Sequence, residues 1–213
     1  MIPADLTGPE RRLSARAPHG AALITGAFLV SASLAVYSLV VTSGDGARAA
    51  AELVGRFAVI VFAASLIARR LARLFPTKFL GAAAVESENL RIAFLVVYAF
   101  SIACVIGPAE LGGQSLSWGS MLYAGFSSLV LLSLAIATLR EPVGQPRQRE
   151  WRAIRAIATA YFWFAFVIAD LVSLGQDSTV SSWHQYSLTL LLSSAGVWLA
   201  ARALSRPERS ATH

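Results

Sequence analysis

The sequence predicts an all-α polytopic membrane protein: a bundle of six transmembrane helices with N and C termini cytoplasmic. Three observations carry that prediction. Long apolar runs recur at 21–41, 53–68, 92–106, 119–139, 157–174 and 187–204. Hydrophobic residues make up 56% of the chain and charged ones only 14%, against about a quarter in soluble domains. Finally, basic residues fall almost entirely on one alternate set of connections. The segments before the first run and after the second, fourth and sixth carry sixteen of the eighteen Lys and Arg residues, and the opposite segments carry only Arg48 and Arg56. Basic residues concentrate on the cytoplasmic side of membrane proteins, so this split sets the orientation.

In 213 residues, six spans of roughly 20 residues each leave room only for short loops. The expected organisation is a poorly ordered cytoplasmic arm over 1–20, a six-helix domain over 21–204 and a cytoplasmic tail over 205–213. The arm holds Pro3, Pro9 and Pro18 with little apolar content. No small-residue cleavage site ends the first run, so it reads as a retained helix in the cytoplasmic (inner) membrane and not as a signal peptide. The net charge of +6 is the positive-inside excess, attracted to anionic headgroups; membrane lipid is the expected partner and nucleic acid is not.

The first run is rich in small residues, among them Gly26, Ala27, Ser31 and Ala35, which permit close helix contact. A tight turn over 43–46 follows. The second run passes into Arg69-Arg70 and Arg73, which snorkel toward headgroups, and Pro76 stops it. Residues 77–89 have room for a short interfacial helix. The third run ends at Gly107-Pro108. Trp118 and Tyr123 then open the fourth as interfacial belt residues. The fifth is dense in aromatics (Tyr161, Phe162, Trp163, Phe164 and Phe166), and the sixth opens with Trp183-His184-Gln185-Tyr186.

Ionisable groups inside a membrane are costly and are functional candidates by default. Two qualify: Arg56, about one turn inside the outer end of the second span, and Asp170, equally deep in the fifth. An opposite-charge pair there relieves each charge. It would be either a packing device or an ion, proton or headgroup site. His184 reads as an interfacial residue, and the histidines show no spacing that would grip a haem or metal inside the bundle. The single Cys104 cannot form an internal disulfide and reads as a packing residue. No catalytic motif is present, and no metal or other cofactor is expected.

The run Gly55-Arg56-Phe57-Ala58, Leu66 to Leu71, Phe75-Pro76, then Leu90 to Phe94 and Tyr98-Ala99-Phe100 resembles the first helices of ferric-reductase-like transmembrane domains. The stretch Trp151 to Arg155 with Tyr161 is similar to that family's second haem-binding helix. The resemblance implies a helical bundle holding b-type haem between paired histidines. Where it would place those histidines stand Ile102 and Arg155, so haem binding is not carried over. The expected function is that of a haem-free membrane component, non-enzymatic, acting as a partner or assembly factor for a membrane or cytoplasmic protein, or binding a lipid or quinone in the former cofactor space. Tyr98, Phe100, Tyr161, Trp163 and Phe166 are the expected lining of that space. The alternatives are a small transporter or permease using Arg56 and Asp170, and a haem b electron-transfer oxidoreductase with unconventional ligands.

Overall fold

The computed structural model describes residues 9–41, 46–75, 77–112, 118–139, 148–176 and 182–204, and all regular structure among them is helical. The helices are α1 (Pro9–Val41), α2 (Gly46–Leu74), α3 (Lys78–Val85), α4 (Ser87–Gly112), α5 (Trp118–Leu139), α6 (Gln148–Gln176) and α7 (Ser182–Leu204). Five of them (α1, α2, α4, α5 and α6) are long and apolar enough to cross a membrane. The chain is thus a multi-pass membrane protein. At 23 residues α7 is long enough as well, but its polar opening, Trp183-His184-Gln185, dilutes its hydropathy.

Local chemistry shifts several boundaries from their expected places. The arm expected to lack order is helical from Pro9 onward. Proline suits the first helical position, and Arg11, Arg12, Ala15 and Ala17 are strong helix formers that carry the span's helix outward. Residues 1–8 and the 205–213 tail lie outside the described residues, as does the expected 43–46 turn except for Gly46, which opens α2. A short helix, α3, does occupy the 77–89 connection. The third span runs on through Gly107-Pro108 to Gly112; proline there removes one backbone bond, and Ala109-Glu110-Leu111 sustain the helix beyond it.

Five helices close into a ring in the order α2, α4, α5, α6, α7 and back to α2, with α1 laid across α2 and α4. The most extensive interface is α2 on α4, and the thinnest in the ring is α4 on α5. Small side chains make the close approaches possible. Ala27, Ser31, Ala35 and Ser38 form the buried stripe of α1, and Gly46 at the start of α2 sits so near Leu39 that a Cβ there would lie 3.0 Å from that residue's Cα. Buried hydroxyls return their bonds to their own helix: Ser31 donates to the Ala27 carbonyl at 2.8 Å and Ser38 to that of Leu34 at 2.9 Å. In a medium without water this removes the cost of an orphan donor.

The middle of the ring is filled by aromatic rings. Phe62 (α2), Phe94 (α4) and Phe162 (α6) are almost wholly buried. Phe62 and Phe94 lie 4.8 Å apart by centroid, and Phe94 meets Phe162 edge-on at 5.3 Å. Tyr98 and Phe166 extend the cluster toward one end, meeting at 5.7 Å. The opposite end holds the arginines. Arg69 bonds Glu88 at 3.0 Å between α2 and α4, and Arg155 donates to the Ala137 carbonyl of α5 at 3.1 Å. The Trp198 ring of α7 has the Arg70 and Arg202 guanidinium groups at 5.5 and 5.3 Å.

Truncating Phe94 to alanine is expected to destabilise the protein by about 3 kcal/mol through lost packing at the ring centre. Truncating Leu129, which is exposed on α5, is expected to change stability by less than about 0.5 kcal/mol. Loss of helical circular dichroism with rising SDS in mixed micelles measures both; equal effects would show that the ring centre is not where the bundle is held.

Candidate functional site: a polar-rimmed cavity at one end of the ring

At the end away from the arginine cluster the ring opens into a cavity of about 510 Å³ that is partly exposed at its rim. Every ring helix contributes. From α2 come Glu52, Gly55, Arg56 and Val59; from α4, Tyr98, Ser101, Ile102 and Val105. Gly119, Tyr123 and Ala124 belong to α5, Phe166, Ala169 and Asp170 to α6, and Trp183 and His184 to α7. The walls are largely aliphatic and aromatic, and the charged groups are few.

Arg56 and Asp170 therefore face one cavity, but each has its own partner. Arg56 bonds Glu52, one turn earlier on α2, the favourable order for a helical pair. Its guanidinium also lies over the Trp183 ring at 5.5 Å, tying α2 to α7. Asp170, only 7% exposed, accepts from His184 Nδ1 at 2.9 Å, tying α6 to α7. One atom of each charged group has no hydrogen-bond partner among the described residues: Asp170 Oδ2, an acceptor, and Arg56 Nε, a donor, both buried.

The remaining polar groups link neighbouring helices. Ser101 donates to the Ala51 carbonyl at 3.2 Å, joining α4 to α2 where Gly55 leaves room: a Cβ on Gly55 would lie 3.5 Å from the serine oxygen. The Tyr98 and Tyr123 hydroxyls approach to 3.4 Å between α4 and α5, long for such a bond. One turn further in, Ser127 and Tyr161 bond at 2.8 Å between α5 and α6.

Of the five aromatics expected to line an interior space, Tyr98 and Phe166 do so. Phe100 instead packs edge-on against Phe28 of α1 at 5.8 Å. Tyr161 is held by Ser127, and Trp163 Nε1 donates to the Leu191 carbonyl of α7 at 3.1 Å. Ile102 is part of the cavity wall. Sequence reasoning missed Glu52 and the bond between His184 and Asp170. The spacing of Glu52 to Arg56 was readable as a helical pair; the His184 contact joins two helices and had no local signal.

No family model, curated protein or solved structure matches the chain.

The pairing gives a definite expectation for energetic coupling. In a double-mutant cycle, Asp170→Asn and His184→Ala should be non-additive by about 1–3 kcal/mol, whereas Arg56→Gln and Asp170→Asn should add to within about 0.5 kcal/mol. Detergent unfolding of the four proteins in each cycle measures this. Strong coupling of Arg56 to Asp170, with none to His184, would reverse the assignment of partners.

Proposed function

We propose that the protein is a six-span component of the cytoplasmic membrane, termini inside, that binds a membrane-soluble amphiphile such as a lipid or quinone in its outer-leaflet cavity. It is read as a ferric-reductase-like bundle without haem ligands, serving as a partner or assembly component and not as an enzyme. The observation that carries the reading is the pairing of apolar walls with two buried, unsatisfied atoms of opposite hydrogen-bonding type, Asp170 Oδ2 and Arg56 Nε. Buried polar atoms without partners cost free energy unless something brought into the site satisfies them. A volume of about 510 Å³ falls within the range of small-molecule sites.

Counting α7 as the sixth span rests on its packing. It lies between α2 and α6 and closes the ring, and 23 helical residues reach roughly 34 Å, enough to cross. The sixteen-to-two split of basic residues supports a cavity in the outer leaflet. Reporter fusions after Phe75 and Arg149 are expected to report cytoplasm, and fusions after Gly46, Gly113 and Asp177 the outer side. An outer signal at Arg149 would overturn the six-span topology.

For the ligand itself, protein extracted in mild detergent should carry an amphiphile in near-equimolar amount, seen by organic extraction and mass spectrometry. Ala169→Phe, which puts a ring into the cavity from its exposed rim, should remove it without loss of the fold. Wild-type protein free of any such molecule would overturn the reading. A transporter remains the second reading because charged groups, Arg56 and Asp170, stand in the cavity. Cysteines introduced along the Tyr98 face that change accessibility from one side of the membrane to the other would establish it.

A further inference from the structure

The two ends of the α2–α7 interface are built alike and differ in one respect. Each places an arginine of α2 over a tryptophan of α7: Arg56 over Trp183 at the cavity end and Arg70 over Trp198 at the other, both at 5.5 Å. At the cavity end Glu52 supplies the counter-charge to a single guanidinium. At the other end a second guanidinium, that of Arg202 on α7, lies over the same Trp198 ring at 5.3 Å. Two cations from two helices are brought to one indole, whose π system offsets part of their mutual repulsion.

The place is open to its surroundings. Trp198 is 36% exposed, Arg202 is exposed and Arg70 is part-buried. An apolar surface leads to it. Leu192, Ala195, Leu199 and Arg202 follow one another at steps of three and four residues, so they form a single stripe along α7. Its two leucines are 52% and 59% exposed. The stripe runs from the middle of α7 to its last turn and is apolar up to Arg202. A soluble anion has no use for such a surface, whereas the chains of a lipid lie along it when the headgroup is at the arginines.

The charge balance supplies the sign of the ligand. The segments on this side carry sixteen basic residues against seven acidic ones, so the chain lacks the carboxylates to neutralise them all and the balance comes from outside. In the orientation proposed above, this end meets the cytoplasmic leaflet, whose surface is negative through its anionic lipids. The guanidinium fork matches phosphate oxygens, to which it can donate two parallel N–H bonds.

We propose that the inner end of the α2–α7 seam is a binding site for an anionic phospholipid, separate from the cavity. Its phosphate is held by Arg70 and Arg202 beside Trp198, and an acyl chain lies along Leu199, Ala195 and Leu192.

Native mass spectrometry of the full chain in nonionic detergent tests this, with dioleoyl phospholipids bearing glycerol or choline heads added in turn. The anionic glycerol lipid should be retained about tenfold more strongly than the zwitterionic choline lipid. Arg70→Gln combined with Arg202→Gln should abolish that preference. Arg149→Gln combined with Arg152→Gln removes the same charge from exposed positions at the start of α6 and should keep it. Circular dichroism checks the fold, and Arg202→Gln alone, in the exposed last turn of α7, should weaken the anionic lipid severalfold if the first pair does not fold. Excess inorganic phosphate should not displace the lipid, and Ala169→Phe in the cavity should leave its retention unchanged. Equal retention of the two lipids by wild-type protein overturns the inference, and so does an equal loss of preference in the two double variants, which would mean diffuse attraction to the whole basic face. Displacement by phosphate overturns it in favour of a soluble-anion site. Each of these leaves the cavity reading standing. Loss of the lipid in Ala169→Phe overturns the seam site and supports the cavity instead.

Discussion

In hydrocarbon an apolar side chain gains nothing by leaving water, so what holds α2 against α4 is close packing and the bonds that cross between them. Those two helices make the broadest contact in the bundle, and the other helices are placed by it. α1 lies across both. α7 closes on α2, and α5 and α6 complete the circuit. The contact is built on Phe62 meeting Phe94 near mid-span, with small residues such as Ala58 and Ala93 letting the backbones approach. Two bonds pin its ends, Ser101 to the Ala51 carbonyl on the cavity side and Arg69 to Glu88 on the arginine side. The aromatic cluster stops short of the first of these, and the cavity begins where it stops.

That geometry explains why the polar groups stand where they do. Around the cavity each ring interface has its own tie: Ser101 to Ala51, Tyr98 to Tyr123, Ser127 to Tyr161, Asp170 to His184, and Arg56 over Trp183. A bundle without a hydrophobic drive between helices can be held by such bonds, each worth roughly 0.5–2 kcal/mol in this medium. The α4–α5 tie is the longest, at the interface with the least packing. Opening there breaks one marginal contact, and opening elsewhere breaks a shorter hydrogen bond, an ion pair or a cation–π contact. The bundle is least closed along the line where a groove already faces the lipid, lined by Leu95, Val96 and Ala99 of α4 and Ser128, Leu131 and Ala135 of α5.

The spans were legible in the sequence because the membrane imposes a length and a composition, and five of them stand in the structure at those places. The short helix after Pro76 was legible too, in a connection of thirteen residues, 77–89, with room for one. What escaped notice depends on pairing between helices. Nothing along the chain separates Tyr98 and Phe166, which line the cavity, from Tyr161 and Trp163, whose polar atoms find Ser127 and the Leu191 carbonyl. Phe62, Phe94 and Phe162 fill the centre because of their rotational position on three helices, and a continuous apolar run carries almost no periodicity from which to read it. His184 resembled a belt residue because its partner is fourteen residues away across a connection.

The partners of Arg56 and Asp170 decide what the cavity can do. Had the two bonded each other across the ring, the pair would have drawn α2 and α6 together, satisfied both groups and left an inert packing device. Each is instead stabilised from its own side, Arg56 by Glu52 on the same helix and Asp170 by His184 on the next. The charges are thereby kept apart, with the cavity between helices that are not direct neighbours in the ring. Each partner engages part of its group and leaves one buried atom over, a donor on Arg56 and an acceptor on Asp170. Local pairing thus makes the charges tolerable in an apolar setting. A ligand that supplies both missing bonds would link α2 to α6 through itself, so its binding would tighten the same end of the ring that the five ties hold.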